Sequence, residues 1–216
     1  MGYKGVIFDL DGVICHTDRY HYMAWKQIAD EIGVYFDETI NDSLRGVSRM
    51  ESLAIILKQY QGNLTEEEKR ILAEKKNNSY RKLLEQMSPG DVTKEVRETL
   101  KELKKMDIKV AIGSSSKNAR FILGKIGLLE LFDGISDGNH ISRSKPDPEV
   151  FLKAAEYLKL EAGECLVVED ARSGVDAAAA GGFSCAGLGD AAAYEKTNYP
   201  LHKFSEVLSV IENRNR

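Results

Sequence analysis

Five short apolar runs constrain what this chain can fold into: GVIFDL at residues 5–10, IKVAIG at 108–113, FDGIS at 132–136, CLVV at 165–168 and SCAGL at 184–188. The first is β-branched, aromatic and bounded by Gly12, which predicts a short buried strand, and the others resemble it. Helical patterns separate the later runs. Val96, Leu100 and Leu103 share one helical face; Phe121, Ile122 and Ile126 share another beyond Asn118. Phe151, Ala155 and Leu158 follow Asp147-Pro148, which predicts an N-cap and a first helical residue. Val175 and Ala178 repeat the spacing before Gly181 and Gly182. Strands alternating with helices predict a parallel sheet covered on both faces, a Rossmann-like three-layer α/β core.

Residues 15–92 break the alternation with three helical patterns and no strand. Trp25, Ile28, Ala29 and Ile32 form one stripe, closed by Gly33. Ser48 and Glu51 have capping-box spacing ahead of Leu53, Ile56, Leu57 and Tyr60. Thr65 and Glu68 repeat the box ahead of a helix expected to reach about Met87, and Ser88-Pro89-Gly90 reads as a loop. The expectation is an all-helical cap domain at 15–92, inserted into a core made of 1–14 and 93–216.

In an open α/β sheet, ligands bind beyond the carboxyl ends of the strands. The first run ends in Asp9 and Asp11, the second in Ser114-Ser115-Ser116-Lys117-Asn118. Ser144-Lys145-Pro146 precedes the fourth, which ends in Glu169 and Asp170. Each piece alone reads as an ordinary turn, cap or solvated loop. Four in order, at successive strand ends, read as a site. Carboxylates crowded together repel, and a hard divalent cation removes that penalty. Mg²⁺ takes oxygen ligands and leaves room for water and phosphate. Serine hydroxyls and backbone N–H groups at a helix start can hold phosphate oxygens, and Lys145 can offset their charge. Phosphoryl transfer asks for this positioning. One aspartate can attack phosphorus while the other moves a proton.

Other function classes fit poorly. The 216-residue chain carries a net charge of −4, with lysines and arginines dispersed among acids, so no nucleic-acid or anionic-membrane surface is expected. Cys15, Cys165 and Cys185 lie far apart, which excludes a zinc motif or a disulfide framework from the reading. No leader pattern and no run long enough to span a bilayer occur, so a cytoplasmic protein is expected. His140 and His202 have no acidic neighbours in the pattern and read as surface residues.

DLDG at 9–12, the serine after the second strand, SKPDP at 144–148 and the ED pair at 169–170 resemble the four motifs of the haloacid dehalogenase superfamily. The likeness spans nearly the whole chain, including a helical cap after the first motif. Within that superfamily, TDRYHYMAW (17–25), LRGVSRMESL (44–53) and EKKN (74–77) resemble its sugar phosphomutases. The resemblance implies Asp9 as a phosphorylated nucleophile and Asp11 as general acid and base. It implies Mg²⁺ held by Asp9, the Asp11 carbonyl and Asp170, with Glu169 assisting. Ser114 and Lys145 would hold the transferring phosphoryl group. Ser116, Lys117 and Asn118 would complete the phosphate end, and Arg49 would meet a distal phosphate. Thr17 would lie in the hinge and be among the substrate-binding residues. The cap would contribute His21, Ser52, Lys76 and Asn77, with Trp25 beside them, although Trp25 also falls on the apolar stripe. His16 stands where the family commonly has an acid.

The implied reaction interconverts β-D-glucose 1-phosphate and β-D-glucose 6-phosphate through an aspartyl-phosphate and β-glucose 1,6-bisphosphate, in a monomer. A sugar-phosphate phosphatase on the same scaffold is the alternative. A signalling phosphoacceptor domain needs no helical insertion after its first strand, and a dehalogenase needs neither the DxD pair nor a metal.

Overall fold

The computed structural model describes residues 2–215. The chain opens with β1 (Gly5–Phe8) and passes into a helical block of α1 (Asp18–Glu31), α2 (Glu38–Asp42), α3 (Arg49–Ile56) and α4 (Glu66–Leu84). Strands and helices then alternate: α5 (Lys94–Lys105), β2 (Lys109–Gly113), α6 (Ala119–Lys125), β3 (Gly134–Ser136), α7 (Glu149–Leu158), β4 (Cys165–Glu169) and α8 (Arg172–Ala180). The last elements are β5 (Ser184–Gly187), α9 (Gly189–Ala192), β6 (Tyr199–Pro200) and α10 (Glu206–Asn215).

The strands form one parallel sheet in the order β3-β2-β1-β4-β5-β6. The acid-bearing first strand is thus interior, between β2 and β4, and the chain order reverses beside it. Alternation along β1 divides the core into two layers. Val6 and Phe8 face α5, α6 and α10 through Leu100, Ile122 and Ile211. Ile7 faces α7 and α8 through Phe151 and Val175. The helical cap has its own core, in which Trp25, Ile28 and Ala29 pack against Leu53, Ile56, Leu72 and Ala73.

Both expected capping boxes are present. Ser48 and Thr65 each accept the N–H three residues on, from Glu51 and Glu68, whose carboxylates return the bond. Several details differ from the sequence reading. The Thr65 helix stops at Leu84, because 85–92 form turns around Ser88-Pro89. The helix after SKPDP begins at Glu149, with Pro148 at the cap position, and Asp147 accepts the Glu149 N–H at 3.0 Å. Helices α2, α9 and α10 and strand β6 are additional; α2, α9 and β6, with five, four and two residues, are too short to produce a periodic signal.

Candidate active site

The carboxyl edge of the sheet and the cap enclose a cavity of about 1250 Å³. Asp9, Asp11, Ser114, Lys145, Glu169 and Asp170 line it from the core. His21, Trp25, Arg49, Ser52, Lys76 and Asn77 line it from the cap. Residues more than a hundred positions apart therefore meet because parallel strands in register end on one edge.

Asp9 is buried at the end of β1, where its N–H donates to the Val168 carbonyl at 2.9 Å. Lys145, also buried, donates to Asp9 Oδ1 at 2.5 Å and Glu169 Oε1 at 2.6 Å. The other Glu169 oxygen accepts the N–H groups of Asp170 and Ala171 at 2.8 and 2.9 Å, so this carboxylate orients both the lysine and the loop. Two glycines make room for the acids. A Cβ on Gly12, whose φ is +88°, would lie 2.1 Å from Asp170 Oδ2, and one on Gly174 would lie 1.8 Å from Glu169 Oε1.

Negative charge exceeds what one lysine offsets. Loss of water, reinforced by Glu169, Asp11 and Asp170, pushes the Asp9 carboxyl well above its ordinary range, against Lys145. Loss of water and Glu169 push Asp170 to about 7. Desolvation works against the Lys145 ammonium, but Asp9 and Glu169 more than offset it and hold its pKa above the usual range. One oxygen from each of Asp9, Glu169 and Asp170 lies within 4.8 Å of the others. A hard divalent cation fits such an oxygen cluster. The Asp11 carboxylate stands outside it and accepts a hydrogen bond from Thr17 Oγ1. Burial raises the Asp11 pKa, with the Thr17 bond opposing.

The Ser114–Asn118 loop is ordered by its own hydroxyls. Ser114 Oγ accepts the Ser116 N–H at 3.1 Å, and Ser116 Oγ accepts the Asn118 N–H at 3.2 Å. Lys117 is exposed at the rim, and its carbonyl accepts from Asn139 at 3.0 Å.

The cap wall is cationic and amide-rich. Lys76 is 3% exposed, with Nζ 2.9 Å from His21 Nδ1, 4.9 Å from the Trp25 ring centre and 4.4 Å from that of Tyr80. Desolvation and the Arg49 charge hold the Lys76 pKa well below its usual value. Desolvation, then Lys76 and Arg49, do the same to His21, so its ring is neutral. Arg49 follows the Ser48 cap at the start of α3 and donates to Asn77 Oδ1 at 2.8 Å. Asn118 Nδ2 reaches the same oxygen at 2.9 Å.

Two expectations are corrected. Thr17 is fully buried, does not line the cavity and spends its hydroxyl on Asp11, so it is removed from the substrate-contact set. His140 does have acidic company: its Nδ1 lies 3.0 Å from Oδ1 of the buried Asp137, a pairing that the spacing of three in Asp-Gly-Asn-His could have signalled. His202 is exposed, as expected, and so is His16. Sequence reasoning missed Tyr80 and Arg45, which both line the cavity. Tyr80 stands one helical turn beyond Lys76 on the same face of α4, a detectable i,i+4 relation.

An interior DxD strand end, a serine loop, a buried lysine and a second acidic strand end beneath a helical cap define the class. The chain belongs to the haloacid dehalogenase-like hydrolases, whose family profile matches residues 3–182. The β-phosphoglucomutase of Bacillus subtilis (strain 168) is 39% identical over 188 residues, 86% of this chain and 83% of that protein. The crystal structure of a β-phosphoglucomutase from Clostridium difficile superposes with a TM-score of 0.92 at 36% identity, covering 99% of this chain and 97% of the other. A phosphorylated carbohydrates phosphatase of Thermotoga maritima is 32% identical over 184 residues, 83% of this chain and 82% of that protein. Among the described residues no helix is long and apolar enough to cross a membrane.

Proposed function

We propose that this chain is a β-phosphoglucomutase, interconverting β-D-glucose 1-phosphate and β-D-glucose 6-phosphate through an aspartyl-phosphate and β-glucose 1,6-bisphosphate. The observation that carries the reading is the second wall of the cavity. Arg49 and Lys76 face the aspartates from the cap and pair with no carboxylate among the described residues. A phosphatase needs one phosphate pocket; a mutase must hold a bisphosphate with either end at the nucleophile, so it needs a second anion site.

Asp9 is the nucleophile. Its free oxygen attacks phosphorus while Lys145 holds the other, and the bond from phosphorus to the sugar oxygen breaks. Asp11 donates a proton to that leaving oxygen. The aspartyl-phosphate is discharged when Asp11 takes a proton from the free hydroxyl of a bound glucose monophosphate, which attacks phosphorus, frees Asp9 and forms the bisphosphate; the bisphosphate then turns around and gives its other phosphoryl group to Asp9. Burial shifts the Asp11 pKa upward, towards the protonated form a general acid needs, and Thr17 fixes its orientation. Ser114 and Lys145 hold the phosphoryl oxygens. Asp9 and Asp170 would ligate Mg²⁺, with the Asp11 carbonyl, and Glu169 would position them. When bound, the metal supplies positive charge to carboxylates and phosphoryl oxygens that would otherwise repel.

The cap, taken as residues 15–92, closes over the sugar. His21, Ser52 and Lys76 face its hydroxyls, Arg49 faces the distal phosphate, and Trp25 supports the Lys76 ammonium. Ser116, Lys117 and Asn118 complete the phosphate end.

The sugar-phosphate phosphatase is the second reading, favoured by the Thermotoga maritima relative. A coupled assay separates them: β-glucose 1-phosphate, catalytic glucose 1,6-bisphosphate and Mg²⁺, with glucose 6-phosphate measured against free phosphate. Predominant glucose 6-phosphate is the expected result; predominant free phosphate would establish the phosphatase.

A further inference from the structure

One oxygen atom joins the two halves of the cavity. Asn77 Oδ1 accepts from Arg49 Nη2 at 2.8 Å and from Asn118 Nδ2 at 2.9 Å. The first donor stands on the cap and the second on the core. A guanidinium only donates, so the Asn77 atom facing Arg49 is the oxygen, and the Asn118 atom facing that oxygen is the NH₂. Arg49 thereby sets the direction of both amides.

Asn118 has turned away from its local task. It holds the N-cap position of α6, yet its side chain makes no cap bond there. Ser48, Thr65 and Thr93 all cap their own helices. An asparagine that leaves a helix start uncapped gives up a local bond to make a distant one. Two donors converging on one oxygen is also how a protein holds an oxyanion. Asn77 provides the oxygen without the charge.

We propose that Asn77 is a positioning residue: a neutral placeholder that keeps Arg49 of the cap and Asn118 of the core aimed at one point, so that the site for a distal phosphate exists only while cap and core are together. The identity of that ligand rests on the mutase reading above. An anionic phosphate oxygen outcompetes an amide oxygen for both donors, and the amide yields. Alanine at 77 would leave the donors unaligned. Aspartate would bind Arg49 as a permanent rival and would not yield. The residue has to be an acceptor and has to be uncharged.

The test compares wild type, Asn77→Ala and Asn77→Asp, each checked for folding by thermal melting. The readout is the KM for glucose 1,6-bisphosphate relative to the KM for acetyl phosphate, which has no distal group, with kcat recorded separately. Asn77→Ala is expected to raise the ratio about tenfold with kcat changed far less, and Asn77→Asp about a hundredfold, since a charged rival is harder to displace than a missing guide. A ratio within twofold of wild type for Asn77→Ala, or Asn77→Asp no worse than Asn77→Ala, would overturn the proposal. If Asn77→Asp does not fold, Asn77→Ser replaces it, with a hydroxyl that can still accept. Serine is then expected to fall between wild type and alanine, and equality with alanine overturns the claim. If wild type releases only free phosphate, the mutase reading fails separately. Calorimetric binding of glucose 1,6-bisphosphate to the same variants then tests Asn77, with the same rank order expected.

Discussion

The two walls of the cavity carry opposite charge and treat it in opposite ways. On the core wall, Asp9, Asp11, Glu169 and Asp170 surround a single ammonium that is ion-paired twice. On the cap wall, Arg49 and Lys76 are desolvated beside a neutral imidazole and an amide. Burying a cation without a carboxylate costs stability, and so does a surplus of buried carboxylates. Neither wall is optimised for folding alone. A ligand with a phosphate at each end, together with a divalent cation, completes both. The difference separates chemistry, built into the strand ends of the sheet, from selection, built into the helices of the cap.

Breaking the core wall has the largest expected consequence. Asp9→Asn should lower turnover by about 10⁴-fold or more and abolish the phosphoenzyme, because an amide is no nucleophile. Asp11→Asn should cost about 10²–10⁴-fold while still allowing slow phosphorylation of Asp9 by a small donor. Mass spectrometry of both variants after acetyl phosphate treatment checks the asymmetry; an adduct on the Asp9→Asn protein would reassign the nucleophile.

Removing the shared cation comes next. Lys145→Met leaves Asp9 and Glu169 buried without their partner, and should destabilise the fold by about 3–5 kcal/mol in denaturant titrations. The loss should shrink at acid pH, where the Asp9 carboxyl, whose pKa burial holds well above its ordinary range, takes up a proton. A pH-independent loss would mean that Lys145 matters for packing rather than charge.

Asp170 sharpens the metal side of the comparison. Its folded pKa, about 7, lies above its ordinary value of 3.8, so the folded state binds the proton more tightly. That contribution to stability is full below the ordinary value and is lost as pH rises through about 7. Metal-free protein should therefore lose melting temperature from pH 4 to pH 8, through this group. Mg²⁺ should restore it at pH 8 and do little at pH 5, where the proton holds the site. A Mg²⁺ effect equal at both pH values would remove Asp170 from the metal site.

The smallest effect is expected from the cap. Lys76 has a folded pKa below its ordinary value, so it costs stability at neutral pH, and the cost vanishes as pH rises past that ordinary value. Lys76→Met should raise stability by about 1 kcal/mol at pH 7 while weakening sugar-phosphate binding. A destabilised variant would show that Trp25 and Tyr80 stabilise the ammonium more than burial opposes it.

Much of this was legible in the sequence, for physical reasons. Buried parallel strands are continuous apolar runs, so all five longer strands announced themselves, and their ends carried the acids, serines and lysine of the core wall. Capping boxes are local, and Ser48 and Thr65 marked the starts of their helices to the residue. Tyr199–Pro200 gave no strand signal, because two residues show no alternation and proline lacks a donor. Thr17 was misassigned because resemblance gives a position, not the direction in which a hydroxyl points. The bridge from Arg49 through Asn77 to Asn118 was invisible, since it depends on how the cap sits over the core.

The central claim is that the cap wall holds a second phosphate, and Arg49→Ala tests it most directly. Losing one partner of a charge-paired contact costs on the order of 2–5 kcal/mol. A small phosphate monoester has no distal phosphate to lose. The measurement is the ratio of mutase rate to small-substrate phosphatase rate in wild type and in Arg49→Ala. A ratio that falls tenfold or more, roughly 1.4 kcal/mol or greater, is the predicted result. An unchanged ratio would contradict it and leave the phosphatase reading in possession of the site.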